Sequence, residues 1–333
     1  MKHKRRLSLL TALVIIYMNF SACVRNAEPV TETGFYLDTV IQITLYDTNG
    51  RKSCNENIQE CFTLIDNYEH LFSTTIEGSD IWNINHANGN PIPVSDDTIQ
   101  LLQTALYYSE LSDGQVDLTV LPLSELWNFG SGKDFHRPDD NDIREALTHI
   151  DYHTVHIDGN IVTLSDPDAA IDLGFIAKGY IADRLKEYLL SQDVDSACIS
   201  LGGNLITIGN KPDGQPYRIG IQRPFAPEGE VITAINLTDS SAVSSGIYER
   251  YFYEDDTLYH HLLDVSTGYP KNNDIAGVTV LTPSSVDADA LSTTCYFLGI
   301  DIGMNLIESL SNTEVLFITT DGDLIYSSGF PTP

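Results

Sequence analysis

The chain has 333 residues, with 18 Lys+Arg against 47 Asp+Glu and a formal net charge of −29. So acidic a surface argues against nucleic acid as a partner and against direct adhesion to anionic lipid. The length suffices for a large core in one compact unit, and neither an internal repeat nor a low-complexity linker divides it.

The first residues read as an address. Lys2, Lys4, Arg5 and Arg6 precede an apolar run, Leu7 to Met18, too short for a comfortable membrane span. The run ends in Phe20-Ser-Ala-Cys23, which resembles a bacterial lipoprotein signal with Cys23 as the lipidated residue. An ordinary signal peptide or an uncleaved anchor is the alternative. The expected organisation is a leader over 1–22, a polar tether over 23–33 and one domain over 34–333. Among the other cysteines, Cys54 and Cys61 lie in one helical segment with Cα atoms roughly 10 Å apart, beyond disulfide reach. Cys198 and Cys295 sit in apolar runs and read as buried small hydrophobes, and no zinc spacing is present.

Phe35 to Tyr46 alternates as a strand, and Asn55–Phe72 and Thr98–Leu111 carry helical periodicity. Val116 to Val120 reads as extended, and Pro122 restarts the chain toward Trp127. Residues 128–142 form a long loop of the kind that serves as a lid. A short helix over Asp142–Leu147 and a hairpin within His153–Leu164 follow. Ile171 to Asp183 reads as a strand end, a turn at Gly174 and a helix to about Leu190, with Ala177, Ile181, Leu185 and Leu189 on one buried stripe. Ser196–Ser200 and Leu205–Ile208 are strands joined by Gly202-Gly203-Asn204. Further strands are Tyr217–Gln222, Val231–Leu237, Ala242–Ser244 and Ile275–Leu281, and a hairpin turns at Asp255-Asp256. Val286–Leu298 is a helix capped by Gly299, Gly303–Leu310 another, and a hairpin around Asp321-Gly322 closes the chain. Strands outnumber helices and most are hairpin-linked. The expected class is therefore α+β, mainly antiparallel sheets with flanking helices in two interlocked lobes.

Three segments carry chemistry. Lys178 lies in the first turn of its helix, where the dipole disfavours a cation, unless an anion is held there by free backbone N–H groups. A surface lysine reaching into water is the plainer account. Asp289 and Thr293, four residues apart, project from one helical face and offer oxygen ligands suited to Mg²⁺ or Ca²⁺. Acids at a helix start also serve as caps, and Asp287 fits capping better than Asp289. In Tyr259-His-His-Leu-Leu-Asp-Val-Ser-Thr-Gly268, one histidine can line a site while its neighbour packs; Asp264 onward reads equally well as a turn. Gly202-Gly203-Asn204 is either an ordinary turn or a backbone platform beside a ligand. Asp117, a lone acid in an apolar stretch, needs a hydrogen-bonding partner if buried.

Taken together, Ile171-Asp-Leu-Gly-Phe-Ile-Ala-Lys-Gly179, Ser200-Leu-Gly-Gly-Asn204, Val243-Ser-Ser-Gly-Ile-Tyr-Glu249, His261-Leu-Leu-Asp-Val-Ser-Thr-Gly-Tyr-Pro270 and Ala288-Asp-Ala-Leu-Ser-Thr293 resemble the ApbE-type FAD:protein FMN transferases, in order, from about Leu37 to the C-terminus. The resemblance implies FAD as substrate, Mg²⁺ as cofactor, and transfer of FMN through its phosphate to a Ser or Thr hydroxyl of a partner protein, with release of AMP. It implies Asp289, Thr293, Ser292 and the backbone oxygen of Phe175 around the metal. It places Asp172 and Lys178 against the flavin nucleotide, Gln115, Val116 and Asp117 near the adenosine, and Leu37 and Leu263 along the pocket wall. Thr75 and Gly202-Gly203-Asn204 complete the nucleotide contacts, and His261 takes an acid–base or phosphate-orienting role. Four positions depart from the family's pattern: Leu37-Asp-Thr39 stands for Met-Gly-Thr, Thr75 for a tyrosine, Asp264-Val-Ser-Thr-Gly268 lacks a cation, and Ser292 stands where some members carry an acid.

The expected partners are FAD and an acceptor subunit of an extracytoplasmic electron-transport complex, with membrane contact through the lipid alone. An FAD pyrophosphatase using the same site and a solute-binding lipoprotein are the rival readings. The second leaves Lys178 and the Asp289/Thr293 pair without a role.

Overall fold

The computed structural model describes residues 28–46, 52–130, 135–227 and 229–331, so the leader and Cys23 lie outside the described residues. At its centre is an eight-stranded sheet. In chain order its strands are β1 (Val30–Tyr36), β2 (Thr39–Leu45), β3 (Ala197–Leu201), β4 (Asn204–Ile208), β5 (Ser241–Gly246), β6 (Ile275–Thr282), β7 (Glu314–Thr319) and β8 (Leu324–Tyr326). Each strand lies beside its sequence neighbour, and every pairing is antiparallel. The class is α+β, as expected.

The strand expected over 35–46 is a hairpin instead. Leu37 and Asp38 both take positive φ, 53° and 55°, in a two-residue turn between β1 and β2. β1 therefore begins at Val30, inside the segment read as tether. Gly202 and Gly203 (φ 56° and 92°) make the matching turn between β3 and β4. A Cβ on Gly202 would lie 2.2 Å from Thr39 Oγ1, so only glycine lets these two turns lie against each other.

The helices arrive in excursions between strands. The longest, between β2 and β3, carries α1 (Cys54–Phe72), α2 (Asp80–Asn85), α3 (Asp96–Leu111), α4 (Leu121–Trp127), α5 (Asp140–Leu147) and α6 (Ala177–Ser191), with a small three-stranded sheet. Sequence periodicity missed α2 and α4, which are too short to show a repeat, and α4 starts at its proline-bearing first turn. Between β4 and β5 a ribbon pairs Tyr217–Gln222 with Val231–Leu237. Between β5 and β6 a hairpin pairs Tyr251–Glu254 with Thr257–His260. Between β6 and β7 lies α7 (Ser285–Glu308), interrupted at Gly299 (φ 80°), the position read as a cap.

The segment Val116–Val120, expected as extended, is a turn. Asp117 Oδ1 accepts from Thr119 N–H at 2.8 Å and Thr119 Oγ1 at 2.7 Å, which bends the chain, and Oδ2 accepts from Tyr152 N–H at 2.9 Å. Cys54, Cys61 and Cys295 are buried and Cys198 is half-buried, with no disulfide among the described residues.

Helices α6 and α7 pack together over the sheet. Their contact rests on Gly179: a Cβ there would lie 2.3 Å from Ser285 O and 2.8 Å from the Asp289 Cβ. Asp183, one turn further along α6, accepts from the N–H groups of Ser285 and Val286, both at 2.9 Å. It thus caps α7 together with Ser284, whose side chain accepts from Asp287 N–H. Asp287, expected to cap, instead accepts from Tyr108 Oη at 2.7 Å. Gly179→Ala is expected to cost about 1–3 kcal/mol by overpacking this junction, read as a lower denaturation midpoint with an unchanged denaturant slope.

Candidate active site

The site grows from the α6–α7 junction. Asp172 Oδ1 accepts from Gly174 N–H at 2.8 Å and turns the chain toward α6, which has no side-chain cap. In a regular helix Gly179 N–H would bond to Phe175 O. Here it donates to Asp289 Oδ2 at 2.8 Å, and no hydrogen bond among the described residues ends on Phe175 O. Among the described residues, Phe175 O is thereby left without a hydrogen bond at the junction that holds the Asp289 carboxylate.

Asp289 is 4% exposed, and burial raises its carboxyl pKa. The Lys178 ammonium, the Gly179 N–H and the Asn204 side chain act in the opposite sense. Asn204 is fully buried and accepts from Ser285 Oγ at 2.8 Å, while its Nδ2 completes no hydrogen bond of normal geometry. Its amide nonetheless lies close enough to the Asp289 carboxylate to favour the ionised form.

One turn after Asp289, Thr293 Oγ1 lies 3.2 Å from Ser245 Oγ. Ser292 is fully buried; its hydroxyl donates to Asp289 O at 2.8 Å and meets Ser245 Oγ at 2.8 Å. Asp289, Thr293 and Phe175 O offer oxygen donors only, a chemistry that suits Mg²⁺ or Ca²⁺ better than a thiophilic metal. Ser292, with both its contacts internal, steadies this corner of α7 and β5.

Lys178, Glu249 and His261 face the same space. The Lys178 ammonium acts electrostatically on Asp289, Glu249 and His261, and makes only a long 3.4 Å bond to Gly174 O. Glu249 reaches solvent, yet protein surrounds much of its carboxylate. Desolvation, with Asp289 adding to it, raises its pKa to about 7 against the opposing Lys178 and Arg250. His261 is half-buried; its Nδ1 lies 3.3 Å from Arg250 O. Desolvation, then Arg250, His260 and Lys178, push it down to about 3, so the ring is neutral at pH 7. Glu249 and Arg250 belong to the stretch Ser245–Arg250, whose sequence reads either as a strand entry with an ion pair or as part of a phosphate or ribose contact. Their signal was position beside a strand end, which is weak until the sheet is assembled.

The remaining predicted residues fall as follows. Gly202, Gly203 and Asn204 border the cleft: the Cβ position of Gly203 lies 3.9 Å from Glu249 Oε1. Leu37 stands in the adjoining turn, its N–H donating to Glu69 Oε1 at 3.0 Å. Asp172 is half-buried, with Ser124 Oγ at 3.4 Å. Gln115 and Val116 lead into the Asp117 turn, whose carboxylate is satisfied by Thr119 and Tyr152. Thr75 is exposed just past α1, its Oγ1 3.2 Å from Ser73 Oγ. Leu263 is buried with Trp127, Phe129 and Phe252 in a satellite core. In the long loop, Phe135 stacks on Phe252 and Arg137 donates to Tyr269 Oη at 2.9 Å; residues 131–134 lie outside the described residues.

The His261 ring makes a sign-definite prediction. Unfolded chains bind its proton near pH 6.5, whereas the folded protein resists it down to about 3. Stability from this group is therefore present above pH 6.5 and is lost progressively as pH falls toward 3. Comparing melting temperatures of wild type and His261→Asn from pH 8 to pH 4 checks this: the variant is expected to lose less stability on acidification.

Residues 37–317 match the model of the ApbE family. Among curated relatives, "FAD:protein FMN transferase" of Klebsiella pneumoniae is 38% identical over 273 residues, covering 80% of this chain and 83% of its own. The protein of that name from Treponema pallidum is 31% identical over 95% of this chain and 92% of its own. Of the solved structures, the flavin transferase ApbE from Vibrio cholerae superposes with a TM-score of 0.81 at 29% identity, covering 91% of this chain and 98% of that one. The ApbE protein of Thermotoga maritima gives 0.82 at 31% identity, with 90% and 97% covered. A sheet, a pair of helices joined at Gly179 and five ordered motifs thus have one common source: the chain belongs to the ApbE family.

Proposed function

We propose that this chain is a FAD:protein FMN transferase that moves FMN from FAD to a Ser or Thr hydroxyl of an acceptor protein and releases AMP. The observation that carries the reading is the meeting of Lys178 and Asp289, from two helices, at one junction, where Gly179 N–H bonds the Asp289 carboxylate and the Lys178 ammonium acts on it. The names of the curated relatives support it.

The chemistry is a phosphoryl substitution, which asks a protein chiefly for charge neutralisation and positioning. The acceptor oxygen forms a bond to the FMN phosphorus; the bond from that phosphorus to the bridging oxygen breaks, and AMP leaves with the electron pair. Asp289, Thr293 and Phe175 O would hold Mg²⁺, which supplies cationic charge at the diphosphate when bound. Lys178 lies ready for a phosphate oxygen, because among the described residues its ammonium makes only a 3.4 Å contact with Gly174 O and no ion pair. His261 is held neutral by burial and by the Arg250 and Lys178 cations. An anionic diphosphate between these groups offsets the cations, raises the ring's basicity, and lets Nε2 or Nδ1 receive the acceptor's proton. Gly202 and Gly203 allow the nucleotide to approach backbone at the cleft wall.

The leader and Cys23 complete the proposal: an exported protein, lipid-anchored at the extracytoplasmic face of a bacterial membrane, acting on a flavin-carrying subunit of an electron-transport complex. The basic start, the apolar run and the small residues before Cys23 support that reading.

Incubation with FAD, Mg²⁺ and a candidate acceptor is expected to add the mass of FMN less water to the acceptor and to yield AMP in equal amount. Free FMN produced without acceptor would make the activity hydrolytic, and FAD binding without AMP would withdraw the enzymatic reading. Asp289→Ala and Lys178→Ala are each expected to lower transfer by a factor on the order of 100 to 1,000. Chelation with EDTA is expected to abolish transfer, and Mg²⁺ to restore it.

A further inference from the structure

An aromatic rim runs outward from the cleft. Tyr248 precedes Glu249 directly, and its ring lies over two residues without side chains: Cβ atoms on Gly246 and Gly277 would stand 2.3 and 3.2 Å from its Cε1. Phe225, at the tip of the ribbon between β4 and β5, meets Tyr248 edge-on at 6.3 Å and Tyr251 edge-on at 5.2 Å. Tyr251 meets Tyr253 edge-on at 5.9 Å. These contacts join two separate excursions of the main sheet into one continuous surface.

The rim is unusual in what it shows to water. Phe225 is 42% exposed, Tyr251 36% and Tyr253 62%. The hairpin that carries the two tyrosines already has an apolar face for its own stability: Phe252, between them, is buried against Trp127, Phe129 and Tyr259. Strand alternation sends Tyr251 and Tyr253 to the opposite face, where a solvated hairpin ordinarily carries polar residues. Folding needs only one of these faces. Exposed, rigid aromatics with few rotatable bonds are the residues that contribute most at protein interfaces.

Position and charge narrow the occupant. The proposed reaction has two substrates that must meet in one cleft, a dinucleotide and a polypeptide hydroxyl, and the rim is continuous with the cleft mouth at Tyr248-Glu249. Beyond Tyr253 the hairpin turns through Glu254, Asp255 and Asp256, so the outer end of the rim is acidic. We propose that Phe225, Tyr251 and Tyr253 form the docking surface for the acceptor polypeptide, and that they receive an apolar segment flanking its hydroxyl residue, with a basic residue toward the Glu254–Asp256 turn. The inference rests on the transferase reading and adds to it how the second substrate is selected.

Two twelve-residue synthetic peptides test it, each with one central threonine, the first flanked by Leu, Val and Lys and the second by Gly, Asn and Asp. Binding of each labelled peptide to the full chain loaded with FAD and Mg²⁺ is followed by fluorescence anisotropy. The apolar-basic peptide is expected to bind at least tenfold more tightly than the polar-acidic one. In Tyr251→Ser/Tyr253→Ser the difference is expected to fall below twofold, while FAD affinity, measured by flavin fluorescence, changes less than twofold. Equal binding of both peptides by wild type, or a preference that survives the substitution, overturns the docking surface. A parallel loss of FAD affinity also overturns it, by assigning the tyrosines to the nucleotide. FMN transfer by the unsubstituted protein, scored separately by mass, judges the transferase reading itself.

Discussion

The site depends on one hydrogen bond, from the backbone N–H of Gly179 to the Asp289 carboxylate, and on the absence of a side chain that makes it possible. A helix N–H in the first turn has no intrahelical duty that cannot be released, so it is free to hold a carboxylate from a neighbouring helix. The neighbour must then come close, and at Gly179 the backbone of α7 occupies the volume a Cβ would need. One contact thereby orients a carboxylate, frees the Phe175 carbonyl and places Lys178 beside both.

Around that contact the charges are unequal in a useful way. The protein as a whole is strongly acidic, yet Lys178 and Arg250 both act on the cleft, where they suppress protonation of His261. Glu249 and Asp289 lie there with ionisation disfavoured by burial. Burial is the largest cause of each shift, and Lys178 offsets it in part at both carboxylates.

The sheet supplies the fixed frame for this balance. Because its eight strands follow one another in sequence, each hairpin turn falls at an edge, and the Leu37-Asp38 and Gly202-Gly203 turns come to the same end. The excursion after β5 brings Tyr248 to His261 around that end, while α7 returns over the sheet from the other. Of the long connections, only the one between β5 and β6 leaves at that end; those after β2, β4 and β6 leave at the other, and α6 and α7 lie back over the sheet to meet it.

Much of this was readable in the sequence. The glycine pair between two alternating segments, the helical stripe after Gly174, the Asp289/Thr293 spacing and the break at Gly299 are local patterns, each set by residues a few positions apart. Local patterns could not decide whether Asp117 meets a ligand or the chain; the fold turns its carboxylate to Thr119 and Tyr152. Nor could they show that Asp183 caps α7, that Phe175 O is released, or that Glu249 lies at the cleft mouth, because each depends on elements that meet only once the sheet is built. Sequence by itself determined which groups were available and on which local faces they stood. Tertiary structure alone decided which of them face one another, since hydrogen bonds and charges act over a few ångströms of space, whatever the separation along the chain.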